Sequence, residues 1–554
     1  MKSSNLPYLA LTLNSLLELR AKENGERVAL VKGDFFTYGR LKNLSDKVGL
    51  YLKRLNVQKG ERVGILGENG PMWLISFFGI QSVGAICVPL DTRLGFFEIK
   101  GIIDHSDIRV LFTERRFIRQ IADMVAERMV EIVDLDRDQF LDLIDKKEKN
   151  TYNLSLEEKP DPEDPAILFY TSGTTGTQKG ILLSHRNVLS NIRSILSMVK
   201  VGEDDRFFSI LPISHAYELV AGNLLPLAAG ASIAYASSLK PKELLEDLSR
   251  AKPTIILAVP LFLEKLLRGI ERRIELSSPV KRLFITLALR TPGLKKLVQV
   301  GIKKSMGLRR LRFFVSGGAH LPEDVEIKMR RLGFKVIQGY GLTEASPVVS
   351  LNPPDKPKVG SCGIPLPGVE VRIWAPGHDG VGEIVIRGEN VMKGYYRNDE
   401  ANKEVFLMEN YLRTGDLGFL DKDGYLFIVG RKKSAIVTKG GLTIYPEEIE
   451  NILCKSPYVK EALVLLKKRD QKEELHAIIF PDEEVVKDRL GDFSEKEERE
   501  KVLKEVIRRE IETVSKGLAD YKRIRSFSLR FEEFPKTTTN KIKRYLFEGH
   551  DPLR

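Results

Sequence analysis

Short apolar runs bounded by turn residues alternate with helical patterns over the early part of this 554-residue chain, and that alternation restricts its fold most. Arg62-Val63-Gly64-Ile65-Leu66, Ala85 to Leu90, Val110-Leu111-Phe112 and Ile132-Val133 read as strands. Strands separated by helices imply βαβ units and a mainly parallel sheet. The most apolar stretch, Trp73 to Leu90, carries Gln81, internal glycines and Pro89. It therefore reads as a buried helix running into a strand, and no membrane-spanning helix is expected. Leu6 to Leu17 follows only Lys2 and precedes no small-residue cleavage site, so a signal peptide is not expected. Further core strands are expected at Pro253 to Val259 and Leu311 to Val315. From Gly363 to Gly394 the texture changes to short strands punctuated by glycine and proline, an antiparallel β region. Beyond Arg431 helices and strands return, with long charged helices around Ser494 to Lys516. A chain of this length exceeds one ordinary core. The expectation is an α/β protein: a domain over 1–430 with parallel α/β sheets and an antiparallel β subdomain, then a small α+β domain over 431–554.

Tyr170 to Gly180 interrupts this pattern, between the apolar runs Ala166-Ile167-Leu168-Phe169 and Ile181-Leu182-Leu183. It offers the hydroxyls of Thr171, Ser172, Thr174, Thr175 and Thr177, the glycines Gly173, Gly176 and Gly180, and the cation Lys179. Glycine lets successive backbone N–H groups converge, and hydroxyls with one lysine complete a phosphate cradle. Gly180 follows Lys179 where a Walker A loop has Ser or Thr, so the chemistry needs other partners.

Most of those partners are loops that follow apolar strands, where open α/β sheets bind ligands. Ser316-Gly317-Gly318-Ala319 offers a flat surface for a base, and Tyr340 an aromatic face. Thr343 and Glu344 put a hydroxyl and a carboxylate near phosphate, which suits Mg²⁺ between carboxylate and triphosphate. Thr414-Gly415-Asp416 presents an acid in a tight turn, fit to accept from two ribose hydroxyls. Singly, each has a structural explanation: a core aromatic, a helix-start acid, a turn former. Jointly they describe a nucleotide site.

The composition, 42% hydrophobic and 30% charged, is that of a soluble globular chain. Cys87, Cys362 and Cys454 follow no metal-ligand spacing and fit a reducing, cytoplasmic setting. The net charge of +12 is modest for this length, but no acidic residue occurs between Glu275 and Glu323. The interval holds Lys281, Arg282, Arg290, Lys295, Lys296, Lys303, Lys304, Arg309, Arg310 and Arg312. It reads as a solvated helix face, or as a surface for an anionic partner: the inner face of a membrane or an acidic carrier protein. Nucleic acid is not expected, since no recognition motif or aromatic platform accompanies the charge.

The chain resembles the adenylate-forming enzymes, a superfamily of acyl- and aryl-CoA synthetases, peptide-synthetase adenylation domains and luciferases. Tyr170–Gly180, Gln338–Glu344, Tyr411–Asp416, Gly430–Glu450 and Pro535–Arg544 carry the likeness in order. Leu211 to Glu218, Val391 to Tyr396 and Gly430-Arg431-Lys432-Lys433 are most like bacterial long-chain fatty acyl-CoA synthetases. The resemblance implies that 1–430 binds ATP and the acyl substrate and that 431–554 is mobile. Thr171, Ser172, Gly173, Thr174, Thr175, Gly176 and Lys179 would hold the β- and γ-phosphates, and Thr171 and Glu344 would share Mg²⁺. Gly318, Gln338, Gly339 and Tyr340 would frame adenine, Thr343 would face the α-phosphate, and Asp416 and Arg431 would hold ribose. His215 would stand beside the acyl carboxylate, Lys541 would be the catalytic lysine and Lys433 the hinge. Gly440 and Gly441 would line the passage for coenzyme A. Gln178, Asn540 and Ser434-Ala435 depart from the family pattern.

The implied reaction joins a fatty acid to ATP, giving an acyl-adenylate and pyrophosphate, and then to a thiol, giving a thioester and AMP. An acyl carrier protein in place of coenzyme A, an aryl acid in place of a fatty acid, and a non-catalytic nucleotide-binding protein are the alternatives.

Overall fold

The computed structural model describes residues 11–146, 160–172, 178–437, 443–469, 472–490, 496–537 and 542–547. The chain divides into two compact units, Met1–Val371 with Ile386–Leu412, and Arg372–Val385 with Arg413–Arg554. The expected junction at residue 431 lies within the second unit, at the end of a strand.

The first unit contains two large sheets. In one, the parallel strands Pro165–Ser172, Ile86–Leu90, Arg62–Leu66, Ile108–Thr113 and Glu131–Asp134 lie side by side in that order. The other has a parallel centre made by Val28–Lys32, Ser232–Tyr235, Arg206–Ser209, Ile255–Ala258, Phe313–Ser316 and Val336–Gly341, with antiparallel strands added at both edges. Near-continuous Val, Ile, Leu and Phe runs form these strands because helices cover parallel sheets on both faces. The Trp73 to Leu90 stretch folds as expected. A helix over Pro71–Ser82, buried along its length except at Met72, turns into the Ile86–Leu90 strand. Pro71 fits the first turn of that helix, where its missing N–H has no partner to lose. The Ser184 hydroxyl caps the helix His185–Met198, and Asn187 reaches back to the Ser184 N–H.

The second unit holds a three-stranded sheet: Val459–Arg469 antiparallel to Lys472–Pro481, and Ile524–Leu529 parallel to the latter. Ile444, Ile449, Leu453, Ile507 and Ile511 pack into its core. Leu412–Leu420 and Leu426–Arg431 form an antiparallel pair in a four-stranded sheet whose other two strands, Val369–Trp374 and Gly382–Gly388, fall within the Gly363 to Gly394 stretch foreseen from glycine and proline punctuation. Among the described residues no helix is long and apolar enough to cross a membrane.

Candidate functional site

The strands that flank the phosphate-loop segment are paired. Pro165–Ser172 and Gln178–Ser184 run antiparallel, with Thr171 opposite Lys179 and Ser172 opposite Gln178. Gly173, Thr174, Thr175 and Gly176 lie outside the described residues, but the register fixes both ends of their loop. The Lys179 ammonium sits over the Tyr395 ring, 4.7 Å from its centroid. The Tyr395 O–H donates to Glu344 Oε1 at 3.0 Å. Tyr395 is held there by pairing: Gly394–Tyr395 adds to the hairpin edge with Tyr395 opposite Ile181, and the Tyr396 N–H donates to Gly180 O at 2.8 Å. Glu344 belongs to the single turn Thr343–Ala345, whose position is set by the Met392 N–H donating to Glu344 O at 2.8 Å. Burial first, then the Glu344 charge, raises the Tyr395 phenol well above its ordinary value, so it stays a proton donor. The segments around Lys179, Glu344 and Tyr395, far apart in sequence, thus meet in one cluster of a cation, an aromatic face and a carboxylate.

The proposed base platform is built by neighbouring strands. Phe313–Ser316 and Val336–Gly341 are parallel, with Ser316 opposite Gln338. The turn at Gly317-Gly318 and the segment Gln338-Gly339-Tyr340 therefore emerge side by side. Gly318 has φ +83°, a conformation strained for any residue with a Cβ. A Cβ on Gly317 would fall 3.1 Å from the Tyr217 ring, whose O–H donates to Val315 O at 3.0 Å. Ser316 Oγ and Gln338 Oε1 are buried with no hydrogen-bond partner among the described residues. Buried polar atoms are seldom left so, and these two oxygens on adjacent strands are available to a polar ligand.

His215 lies in the loop after Arg206–Ser209, which Asn69 clamps: Asn69 Oδ1 accepts from the Ile213 N–H at 2.9 Å. Its Nε2 is 2.9 Å from Asp91 Oδ2. Arg93 donates to both Asp91 oxygens, at 3.0 and 2.7 Å, and its Nη2 lies 2.9 Å from His215 Nε2. A protonated Nε2 donates to Asp91, with the guanidinium alongside. Burial alone would raise the Asp91 carboxyl, but hydrogen bonds from His215 and Arg93 outweigh it and hold it well below the usual carboxylate range. Asp91 caps the end of the Ile86–Leu90 strand, so the geometry joins the two sheets' loops through one carboxylate.

Three residues beyond His215, Glu218 is fully buried in the turn Tyr217–Leu224, which is wound with π-type hydrogen bonding. Neither carboxylate oxygen has a hydrogen-bond partner of good geometry among the described residues. A Cβ at Gly222 would lie 2.9 Å from the carboxyl carbon, so glycine makes room for it. Burial pushes this carboxyl up to about 8, offset only in part by nearby Ser209 and Asn223.

In the second unit, Asp416 and Arg431 face each other across antiparallel strands and form an ion pair at 2.7 Å. The Asp416 N–H donates to Thr414 Oγ1 at 3.1 Å, after Gly415 at φ +70°. Lys433 sits in the short turn Lys432–Ser434, and its neighbour Lys432 donates to Glu383 Oε2 at 2.8 Å, beside Arg413. Gly440, Gly441 and Lys541 lie outside the described residues. The described residues on either side of Lys541 are tied to the fold. Lys536 pairs with Ile542, the Lys543 N–H donates to Pro535 O at 2.8 Å, and Arg544 forms an ion pair with partly buried Glu450. Burial raises the Glu450 carboxyl to about 7 against the pull of Arg544.

Sequence reasoning named Lys179, Glu344, Gly318, Gln338, Tyr340, His215, Asp416 and Arg431. It missed Tyr395, Asp91, Arg93 and Glu218 as site residues. Asp91 carried a usable signal, a carboxylate directly after a buried strand. Tyr395 carried none beyond the motif that contains it. Among the described residues no group of three or more His, Cys, Asp or Glu side chains is arranged to hold a metal ion. The Glu344 carboxylate and Thr171 hydroxyl are hard oxygen donors, and so few protein ligands fit Mg²⁺ shared with phosphates and water.

Residues 17–396 match the AMP-binding enzyme family. The chain is 30% identical over 468 residues to long chain acyl-CoA synthetase 4 of Arabidopsis thaliana, covering 75% of this chain and 69% of that protein. It is 28% identical to the long-chain-fatty-acid–[acyl-carrier-protein] ligase AEE15 of the same plant, covering 84% and 75%. The crystal structure of the anthranilate CoA ligase AuaEII with anthranoyl-AMP superposes with a TM-score of 0.78 at 26% identity, covering 99% of this chain and 98% of that one. With the matched segment spanning more than half its length, the chain belongs to the AMP-binding enzyme family.

Proposed function

We propose that this protein is an ATP-dependent fatty acid–CoA ligase of the AMP-forming, acid–thiol type. The observation that carries the reading is the chain from Lys179 through Tyr395 to Glu344. A carboxylate is a poor acyl donor because its leaving group would be an oxide. Attack of the fatty acid oxygen on the α-phosphorus breaks the bond to the β-phosphate bridge, releases pyrophosphate and leaves the acyl group on AMP. Thiol attack on that carbonyl then expels AMP and forms the thioester.

Thr171, Ser172, Gly173, Thr174, Thr175, Gly176 and Lys179 take the β- and γ-phosphates, and Thr343 faces the α-phosphate. Gly318, Gln338, Gly339 and Tyr340 hold adenine; the unpaired Ser316 and Gln338 oxygens support that placement. Asp416 and Arg431 hold the ribose hydroxyls. His215, steadied by Asp91, stands beside the acyl carboxylate. When bound through Glu344 and Thr171, Mg²⁺ neutralises charge on the triphosphate. Lys541 stabilises the charge that builds on the α-phosphate in the first step. For the second, the chain beyond Lys433 turns, withdrawing Lys541 and bringing in Gly440 and Gly441 for the pantetheine arm. The long-chain acyl-CoA synthetases among the relatives support a fatty acid as the substrate. The anthranilate ligase keeps an aryl acid as the competitor to be tested.

An acyl carrier protein as acceptor is the second reading, favoured by the acidic-residue-free interval from 276 to 322 and by the acyl-carrier-protein ligase among the relatives. The cytoplasm, with peripheral contact at an anionic surface through 281–312, is the proposed location. Incubating the protein with a fatty acid, ATP and Mg²⁺ plus either free coenzyme A or acyl carrier protein decides between acceptors. Thioester on coenzyme A together with AMP supports the leading reading; acylation of the carrier alone replaces it.

A further inference from the structure

The helices Pro279–Ala288 and Pro292–Ser305 pack against each other and carry an apolar stripe on the outside of the first unit. Val280, Leu283, Phe284 and Leu287 fall at i, i+3, i+4 and i+7, the spacing that normally marks a buried helix face. Here all four are exposed, by 79, 60, 55 and 53%. Leu297 on the second helix is 70% exposed, while Ala288 is buried on the inner side of the first. Soluble chains rarely present such a stripe to water without a use for it.

Cations flank the stripe. Lys281, Arg282, Arg290, Lys295, Lys296 and Lys304 form no ion pair with any described residue, and no acidic residue occurs between Glu275 and Glu323. Arg312, by contrast, is tied to Asp205 at 2.6 Å and serves the fold. A purely solvated face would not need the apolar residues, and an acidic protein would be held by the cations alone. Apolar side chains in a helical stripe with lysine and arginine around them match a helix lying flat in a lipid headgroup layer.

We infer that these two helices dock the protein on an anionic bilayer, with Val280, Leu283, Phe284 and Leu287 inserted and the surrounding cations at the headgroups. The inference gains its purpose from the fatty-acid reading, since long acyl chains reside in bilayers. Its test reads no catalysis, so either can fail alone.

Flotation of the full chain with phosphatidylcholine vesicles, with and without phosphatidylglycerol, measures the docking. The wild-type protein floats with the anionic vesicles, less at high salt, and little with phosphatidylcholine alone. Both the Leu283→Glu/Phe284→Glu variant and the Lys281→Glu/Arg282→Glu/Lys296→Glu variant lose about tenfold or more of that binding. These side chains are exposed, so thermal melting stays unchanged. Binding retained by the Leu283→Glu/Phe284→Glu variant overturns the inference. So does absence of vesicle binding, whether the lysine set then captures an acyl carrier protein or the apolar stripe holds two copies together in solution.

Discussion

Glu218→Gln tests the buried carboxyl beneath the His215 loop. The group is fully buried, its oxygens lack a hydrogen bond of good geometry among the described residues, and its carboxyl rises from the ordinary 4.5 to about 8. Between these values the folded state keeps a proton that the unfolded state has released. Stability therefore falls as pH rises from 4.5 to about 8 and levels off above. At about 1.4 kcal/mol per pH unit, the penalty grows by about 3 kcal/mol between pH 5.5 and pH 8. Glutamine has the same shape and no charge to release, so the variant escapes that slope of about 3 kcal/mol. A unit of roughly 400 residues unfolds with an entropy near 0.8 kcal/mol/K, which converts that slope to about 4 °C. Differential scanning calorimetry at pH 5.5 and pH 8 should show the wild type losing about 4 °C more than Glu218→Gln. Parallel melting shifts for the two proteins would refute the reasoning and place a cation or water beside Glu218.

Tyr395→Phe keeps the ring under Lys179 but removes the O–H given to Glu344, a bond to a charged acceptor worth about 1.5–3 kcal/mol. The expected result is a fall of about tenfold or more in kcat/KM for ATP; an unchanged value would detach Tyr395 from the site. Asp91→Asn loosens His215 and Arg93, so KM for the fatty acid should rise about tenfold while KM for ATP moves little. Equal changes in both constants would contradict a place for His215 at the acyl end. Lys541→Ala should abolish adenylation yet allow a synthetic acyl-adenylate to react with thiol. Equal loss in both half-reactions would rule out the alternation about Lys433.

The parallel cores were legible because a strand buried on both faces must be apolar throughout. Arg62–Leu66 and the Trp73 to Leu90 stretch announce themselves locally. Composition likewise exposed the hairpin loop, since few uses other than phosphate need so many hydroxyls and glycines around one lysine. The partners of the site were not legible. Tyr395 reaches Glu344 across 51 residues of sequence and Asp91 reaches His215 across 124, separations that only the sheet order closes. Asp416 and Arg431 were both named, but their pairing depends on the register of two strands with a bulge between Leu417 and Gly418. The stripe at Val280 to Leu287 is the reverse case. Its periodicity defines a face clearly and says nothing of what covers it.

The central claim is that the strand-end turns around Lys179, Glu344 and the Gly318–Gln338 platform activate a fatty acid with ATP. Isotope exchange between pyrophosphate and ATP, measured with and without a long-chain fatty acid and repeated on Lys179→Ala, tests it most directly. The account predicts exchange that requires the fatty acid and Mg²⁺ and that falls at least about tenfold in Lys179→Ala. Exchange that ignores every fatty acid and appears only with an aryl acid, or no exchange at all, would contradict it.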